Sequence, residues 1–178
     1  MSFFGYIKQK TFAGGSVFKL LEGGRCFCPS DIGKADVLIA YGKICKVGKS
    51  IPVHHIPVNP IWDVEVIDCT DRIVCPGFID QHLHITGGGG EQGPVSRIPE
   101  IMLSEIVAAG VSTVVGLFGL DAITRNIEGL LEKARALESE GLNTYIYTGG
   151  YRLPAITLTG KVSHDIAFID KIIGAGEI

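Results

Sequence analysis

Two periods follow one another along this chain. Up to Val74 the apolar residues come in short runs with a repeat of two, the period of a strand with one buried face. Val17 to Leu21 is the first run and Asp36 to Tyr41 the second. Gly42-Lys43 reads as a two-residue turn into Ile44 to Val47. Pro52, Pro57 and Pro60 break any regular element between Ile51 and Trp62. Val64 to Asp68 and Ile73-Val74 then alternate again. Past Phe78 the pattern changes. Apolar runs at Gly77 to Ile85, Ser112 to Phe118, Thr144 to Tyr147 and Ile172 to Ile178 start about 30 residues apart, the length of a βαβ unit. Between them, Pro99 to Ala109 and Ile127 to Glu140 carry apolar residues at helical spacing. Gly110 and Gly141 stand where C-caps belong, and Ser163 reads as the N-cap of a third short helix reaching Lys171.

The pattern predicts an α/β chain in three parts. Residues 1–15 have no clear period and read as an extension. Residues 16–75 form a small β domain, and residues 76–178 form four βα repeats with parallel strands. Parallel βα repeats place ligands at the carboxyl ends of the strands. His82 and His84 fall there, two apart on the first of these strands, so they project together while Leu83 points away. Two neutral imidazoles on a rigid strand end suit a divalent metal. A bare His-x-His is a weak signal and, taken alone, is more often no metal site at all. His54-His55 sits in the proline-rich loop, where adjacent side chains point apart, and reads as solvated; Trp62 is read as packing the β domain. Gly87 to Gly90 follow the His pair and remove every side chain, which lets backbone approach a ligand closely.

The stretch Pro76-Gly77-Phe78-Ile79-Asp80-Gln81-His82-Leu83-His84 resembles the first barrel strand of the amidohydrolase superfamily. Gly87 to Pro94, Gly110 to Leu117 and Tyr147 to Tyr151 are similar, within that superfamily, to the isoaspartyl (β-aspartyl) dipeptidase family. The resemblance implies the first half of a metal-dependent (β/α)8 barrel behind a small β domain, since a complete barrel takes about 250 residues. It implies zinc, two ions per complete site, held by His82 and His84. The bridging ligand would be Glu177 or a carboxylated lysine, with Lys171 as the competitor and a solvent-facing acid as the plain alternative for Glu177. It implies hydrolysis of β-aspartyl dipeptides by a metal-activated hydroxide. Glu91 and the backbone at Gly89 would bind substrate, and Tyr151 would stabilise the oxyanion. Leu120 stands where the family commonly has a substrate-contacting threonine, and leucine forms no hydrogen bond there. Asp121 reads as a turn residue before a helix. A cyclic amidase of dihydroorotase or hydantoinase type is the rival within the enzyme class. If the natural chain ended at Ile178, a non-catalytic remnant would be expected instead.

Composition narrows the partners. A net charge of -3 and no Lys/Arg-rich run argue against nucleic acid. No stretch approaches the roughly 18 apolar residues of a membrane span, and the start lacks the charge and apolar run of a signal peptide. Five scattered cysteines complete no zinc-ribbon spacing and read as free thiols. The expectation is a cytoplasmic enzyme acting on a small dipeptide, without nucleic-acid or membrane partners, and homo-oligomeric at full length.

Overall fold

The computed structural model describes residues 17–52 and 64–177. The 1–15 extension, His54-His55 and Trp62 lie outside the described residues. The chain divides into two compact units after Pro76.

The first unit is a five-stranded sheet of β1 (Phe18–Phe27), β2 (Asp31–Ala40), β3 (Lys43–Gly48), β4 (Val64–Asp68) and β5 (Ile73–Val74). The order is β3-β2-β1-β4, with β5 also paired to β1. β1 and β2 are antiparallel, whereas β4 and β5 run parallel to β1. β1 continues well past the run that alternation marks, because a register shift after Leu21 resets its faces. The shift is centred on Gly23, whose φ is 73°. The Gly23 amide donates to the buried Asp36 carboxylate at 2.9 Å, and the Ile51 amide donates to its other oxygen at 2.8 Å. The turn between β2 and β3 is Tyr41-Gly42, one residue earlier than the sequence suggests. Both residues have left-handed φ, 51° and 72°, as a type I′ turn requires.

The second unit is a four-stranded parallel sheet in the order β6-β7-β8-β9: Phe78–Leu83, Val111–Gly116, Asn143–Thr148 and Ile172–Ala175. Its helices are α1 (Leu103–Ala108), α2 (Ile127–Ser139) and α3 (Val162–Phe168). α2 buries Ile127, Leu130, Leu131, Ala134 and Leu137, a stripe at helical spacing, against Val114, Ile146 and Ile172. Asn126 caps it by accepting the Gly129 amide at 2.8 Å.

Two helices are shorter than periodicity predicts. α1 begins at Leu103 because residues 98–102 are not helical; the Glu105 carboxylate accepts the Met102 amide at 2.9 Å and fixes the start there. α3 has Lys161, not Ser163, at its N-cap and stops at Phe168. Lys171 therefore caps nothing in α3. Its ammonium is buried between the Glu138 carboxylate (2.5 Å) and the Thr144 carbonyl (3.0 Å). Among the described residues no helix is long and apolar enough to cross a membrane.

Asp165 braces the segment after β8. Its fully buried carboxylate accepts the Thr148 hydroxyl at 2.6 Å, the Thr159 hydroxyl at 2.6 Å, and the amides of Leu158 (3.0 Å) and Thr159 (2.8 Å). Burial alone would raise its pKa, but these four donors outweigh it and hold the carboxyl below its ordinary value. Asp165→Asn turns part of this acceptor into a donor facing donors. It is expected to cost about 1–3 kcal/mol in urea unfolding. The folded pKa is depressed, so the wild-type advantage is present above about pH 3.8 and disappears as pH falls through the folded value. Equal urea midpoints for the two proteins at neutral pH would refute the brace.

Candidate metal centre

Because β6 to β9 are parallel, their carboxyl ends lie along one rim. Leu83 turns into the core, and the residues on either side of it turn out. The His82 Nε2 lies 2.6 Å from the Glu177 Oε1, and the His84 Nε2 lies 3.7 Å from the same oxygen. The imidazoles meet edge to face with centroids 5.4 Å apart. One ligand atom from each of the three residues falls within 4.8 Å of the others. Glu177 stands two residues beyond β9, and its side chain is only 11% exposed. The Gly176 amide donates to the Thr148 carbonyl at 3.0 Å, which carries the β8–β9 pairing up to it.

The donor set can be tested against a metal on the satisfaction of its polar atoms. The Glu177 Oε2 and the His84 Nδ1 are both buried without a hydrogen-bond partner, two of four such side-chain atoms among the described residues. A buried carboxylate oxygen without a donor is costly. A divalent cation between two imidazoles and a carboxylate removes that cost, and nitrogen with oxygen donors suits zinc and its neighbours. The residues fit the group. Lys171, the competing bridging candidate, lies at the opposite end of β9 and is engaged by Glu138.

The glycine run folds back on its own chain. The Gly87 amide donates to the His84 carbonyl at 2.9 Å, and the Ile98 amide donates to the Gly88 carbonyl at 2.9 Å. A side chain at Gly89 would strike the Ser96 carbonyl at 2.1 Å. Arg125 closes the neck of this loop, donating to the Thr86 carbonyl at 2.9 Å and the Ile98 carbonyl at 3.0 Å with 8% of its side chain exposed. Glu91 is exposed on the loop, at the edge of a cavity of about 570 Å³ shared with His82, His84, Gly88 and Gly89. Leu120 is largely exposed and follows Gly119, which abuts His84.

Tyr151 is also exposed, in the segment after β8. The Glu177 charge, above all, raises its phenol above the ordinary value; desolvation, hydrogen bonding to Glu177 and the Glu91 charge add to this. Asp121 is the turn residue that the sequence suggests. It accepts from the Thr124 hydroxyl and amide and from the Ile123 amide, which lower its pKa to about 2, with Arg97 adding to the effect. Arg125, Asp165 and Gly119 were not legible as site residues. A faint signal existed for Asp165, a carboxylate on the face of α3 that turns inward. None existed for Arg125 or Gly119, whose partners are distant in sequence.

The chain matches no family model. It is similar to a β-aspartyl dipeptidase from Fervidobacterium islandicum AW-1, solved in complex with β-Asp-Leu dipeptide: 47% identity, a TM-score of 0.85, covering 92% of this chain and 41% of that one. It is 31% identical over 157 residues to an imidazolonepropionase of Colwellia psychrerythraea, covering 83% of this chain and 36% of the relative. A shorter segment of 57 residues is 42% identical to a dihydroorotase of Aquifex aeolicus, 32% of this chain and 12% of the relative. The chain thus spans well under half the length of these proteins. Its fold is α/β and resembles the amino-terminal part of the amidohydrolase barrel proteins. Fold and likenesses together support a hydrolase of the amidohydrolase superfamily.

Metal uptake checks the centre directly. Zn²⁺ titrated into the chain by calorimetry is expected to bind saturably. Glu177→Ala or His82→Ala should weaken it tenfold or more, about 1.4 kcal/mol. Affinities unaltered by both substitutions would place the ion elsewhere.

Proposed function

We propose that the chain is part of a zinc-dependent dipeptidase that hydrolyses β-aspartyl (isoaspartyl) dipeptides. The observation that carries this reading is geometric: His82, His84 and Glu177 bring one possible ligand atom each within 4.8 Å of one another, with the exposed Glu91 on the glycine loop beside the histidines. The likeness to the dipeptidase that holds β-Asp-Leu adds the substrate class.

His82, His84 and Glu177 would hold the metal in this reading. When bound, zinc supplies Lewis-acid polarisation of the scissile carbonyl and an acidified water. The protein supplies the rest. Glu91 pairs with the free α-ammonium of the substrate and selects a cationic N-terminus. The backbone around Gly89, fixed by its antiparallel bridge to Arg97, lines the same approach. The Tyr151 phenol is protonated at neutral pH, as an ordinary phenol is, so it can donate to the oxygen that gains charge as the amide is attacked. Leu120 offers the substrate apolar contact alone. A cytoplasmic setting, a homo-oligomeric full-length enzyme and a small dipeptide as its partner belong to the same reading.

A cyclic amidase of dihydroorotase type is the second reading, favoured by the 57-residue segment shared with the Aquifex dihydroorotase. The assay that separates them uses the full-length natural protein with zinc. β-Asp-Leu is expected to be cleaved and dihydroorotate left intact; the reverse would establish the second reading. Tyr151→Phe should lower kcat by about 10²–10³-fold, as loss of an oxyanion donor does. Glu91→Gln should act chiefly on KM, since it removes the ammonium's partner in ground and transition states alike.

A further inference from the structure

We propose that Gly119 is a positioning residue of the metal centre: the absence of a side chain there leaves the seat in which the His84 imidazole is held with Nε2 toward Glu177. This rests on the reading of His82, His84 and Glu177 as metal ligands.

A Cβ at position 119 would fall 2.7 Å from the His84 Cε1 and 2.8 Å from its Nδ1. Those distances lie well inside van der Waals contact, so ring or backbone would have to move. The backbone is poorly placed to yield. Gly119 follows Leu117 and Phe118, both fully buried, and the Leu117 amide donates to the Leu83 carbonyl at 3.2 Å. The ring is the softer partner. On another side it meets Gly88, where a Cβ would sit 3.4 Å from the His84 Cγ, an ordinary contact distance. The imidazole thus stands against bare backbone at two glycines, and only Gly119 is close enough to exclude a methyl group.

The hydrogen bonding of the ring gives this contact its consequence. A metal-binding histidine usually donates its second nitrogen to an acceptor, which sets the ring's orientation. The His84 Nδ1 is buried and has no such partner. Packing takes over that task, and Gly119 is where an added Cβ would come within 2.8 Å of Nδ1. The role differs from that of Leu120 beside it, whose side chain faces outward.

The test is Zn²⁺ affinity of the full-length natural protein by calorimetry, with folding followed by circular dichroism. Gly119→Ala should bind zinc about 10–100-fold more weakly, the usual effect of disturbing a ligand's support. Gly160→Ala is the control. Its φ of 85° carries a similar backbone penalty to the 71° of Gly119, yet nothing lies within 4 Å of the added methyl, so its affinity should match wild type. In a His84→Ala background, Gly119→Ala should have no further effect. Equal affinity for wild type and folded Gly119→Ala would overturn the inference alone. No zinc uptake by wild type would overturn the metal-centre reading together with it. If Gly119→Ala does not fold, the zinc-loaded wild type decides by NMR: a nuclear Overhauser contact between the His84 Cε1 proton and the Gly119 α-protons is expected, and its absence would refute the seat.

Discussion

Parallel pairing from β6 to β9 is the constraint on which the candidate centre depends. It puts four carboxyl ends on one rim, so that His82 and Glu177, from opposite ends of the second unit, come within 2.6 Å. The pairing needs apolar cover for the residues it buries, Val114, Ile146 and Ile172 among them. The stripe of α2 from Ile127 to Leu137 provides that cover across Val114, Ile146 and Ile172. A one-residue slip of β9 against β8 would carry Glu177 off the rim.

The buried polar groups Lys171, Thr144 and Asp165, away from the candidate centre, find partners within the second unit. At the amino ends Lys171 is buried, but its ammonium is bonded to Glu138 and to the Thr144 carbonyl, and the Thr144 hydroxyl is itself bonded to the Ala134 carbonyl. Asp165 behind β8 accepts four donors. Such groups are satisfied and stabilise the unit. On the rim, the Glu177 Oε2 and the His84 Nδ1 are left without partners. The Glu177 Oε2, a buried carboxylate oxygen without a donor beside the two histidines, is the atom there that a cation would satisfy.

The glycines divide the same way. Gly110 and Gly141 end helices, and their positions were plain from periodicity. Gly87 and Gly89 serve a backbone that doubles back on Ile98 and Ser96, and Gly119 serves a ring brought in from another strand. The sequence marked that run of glycines as special but not its contacts. Lys171 shows the same limit. The sequence put it at the end of a third helix, and only the packing of α2 across the sheet revealed Glu138 as its partner.

By itself the sequence determined the order of strands and helices, the change from a period of two to βα repeats, and the placing of His82 and His84 at a strand end. These are local properties, fixed by spacing along the chain. Exact helix limits escaped it, because capping by Glu105 at Met102 and the early end of α3 rest on single hydrogen bonds. The tertiary structure alone decided that Glu177 meets the histidines, that Arg125 closes the glycine loop, that Asp165 braces the segment bearing Tyr151, and that Gly119 stands against His84. Each of these joins residues far apart in the chain, and no local pattern records a contact that strand register and helix packing create.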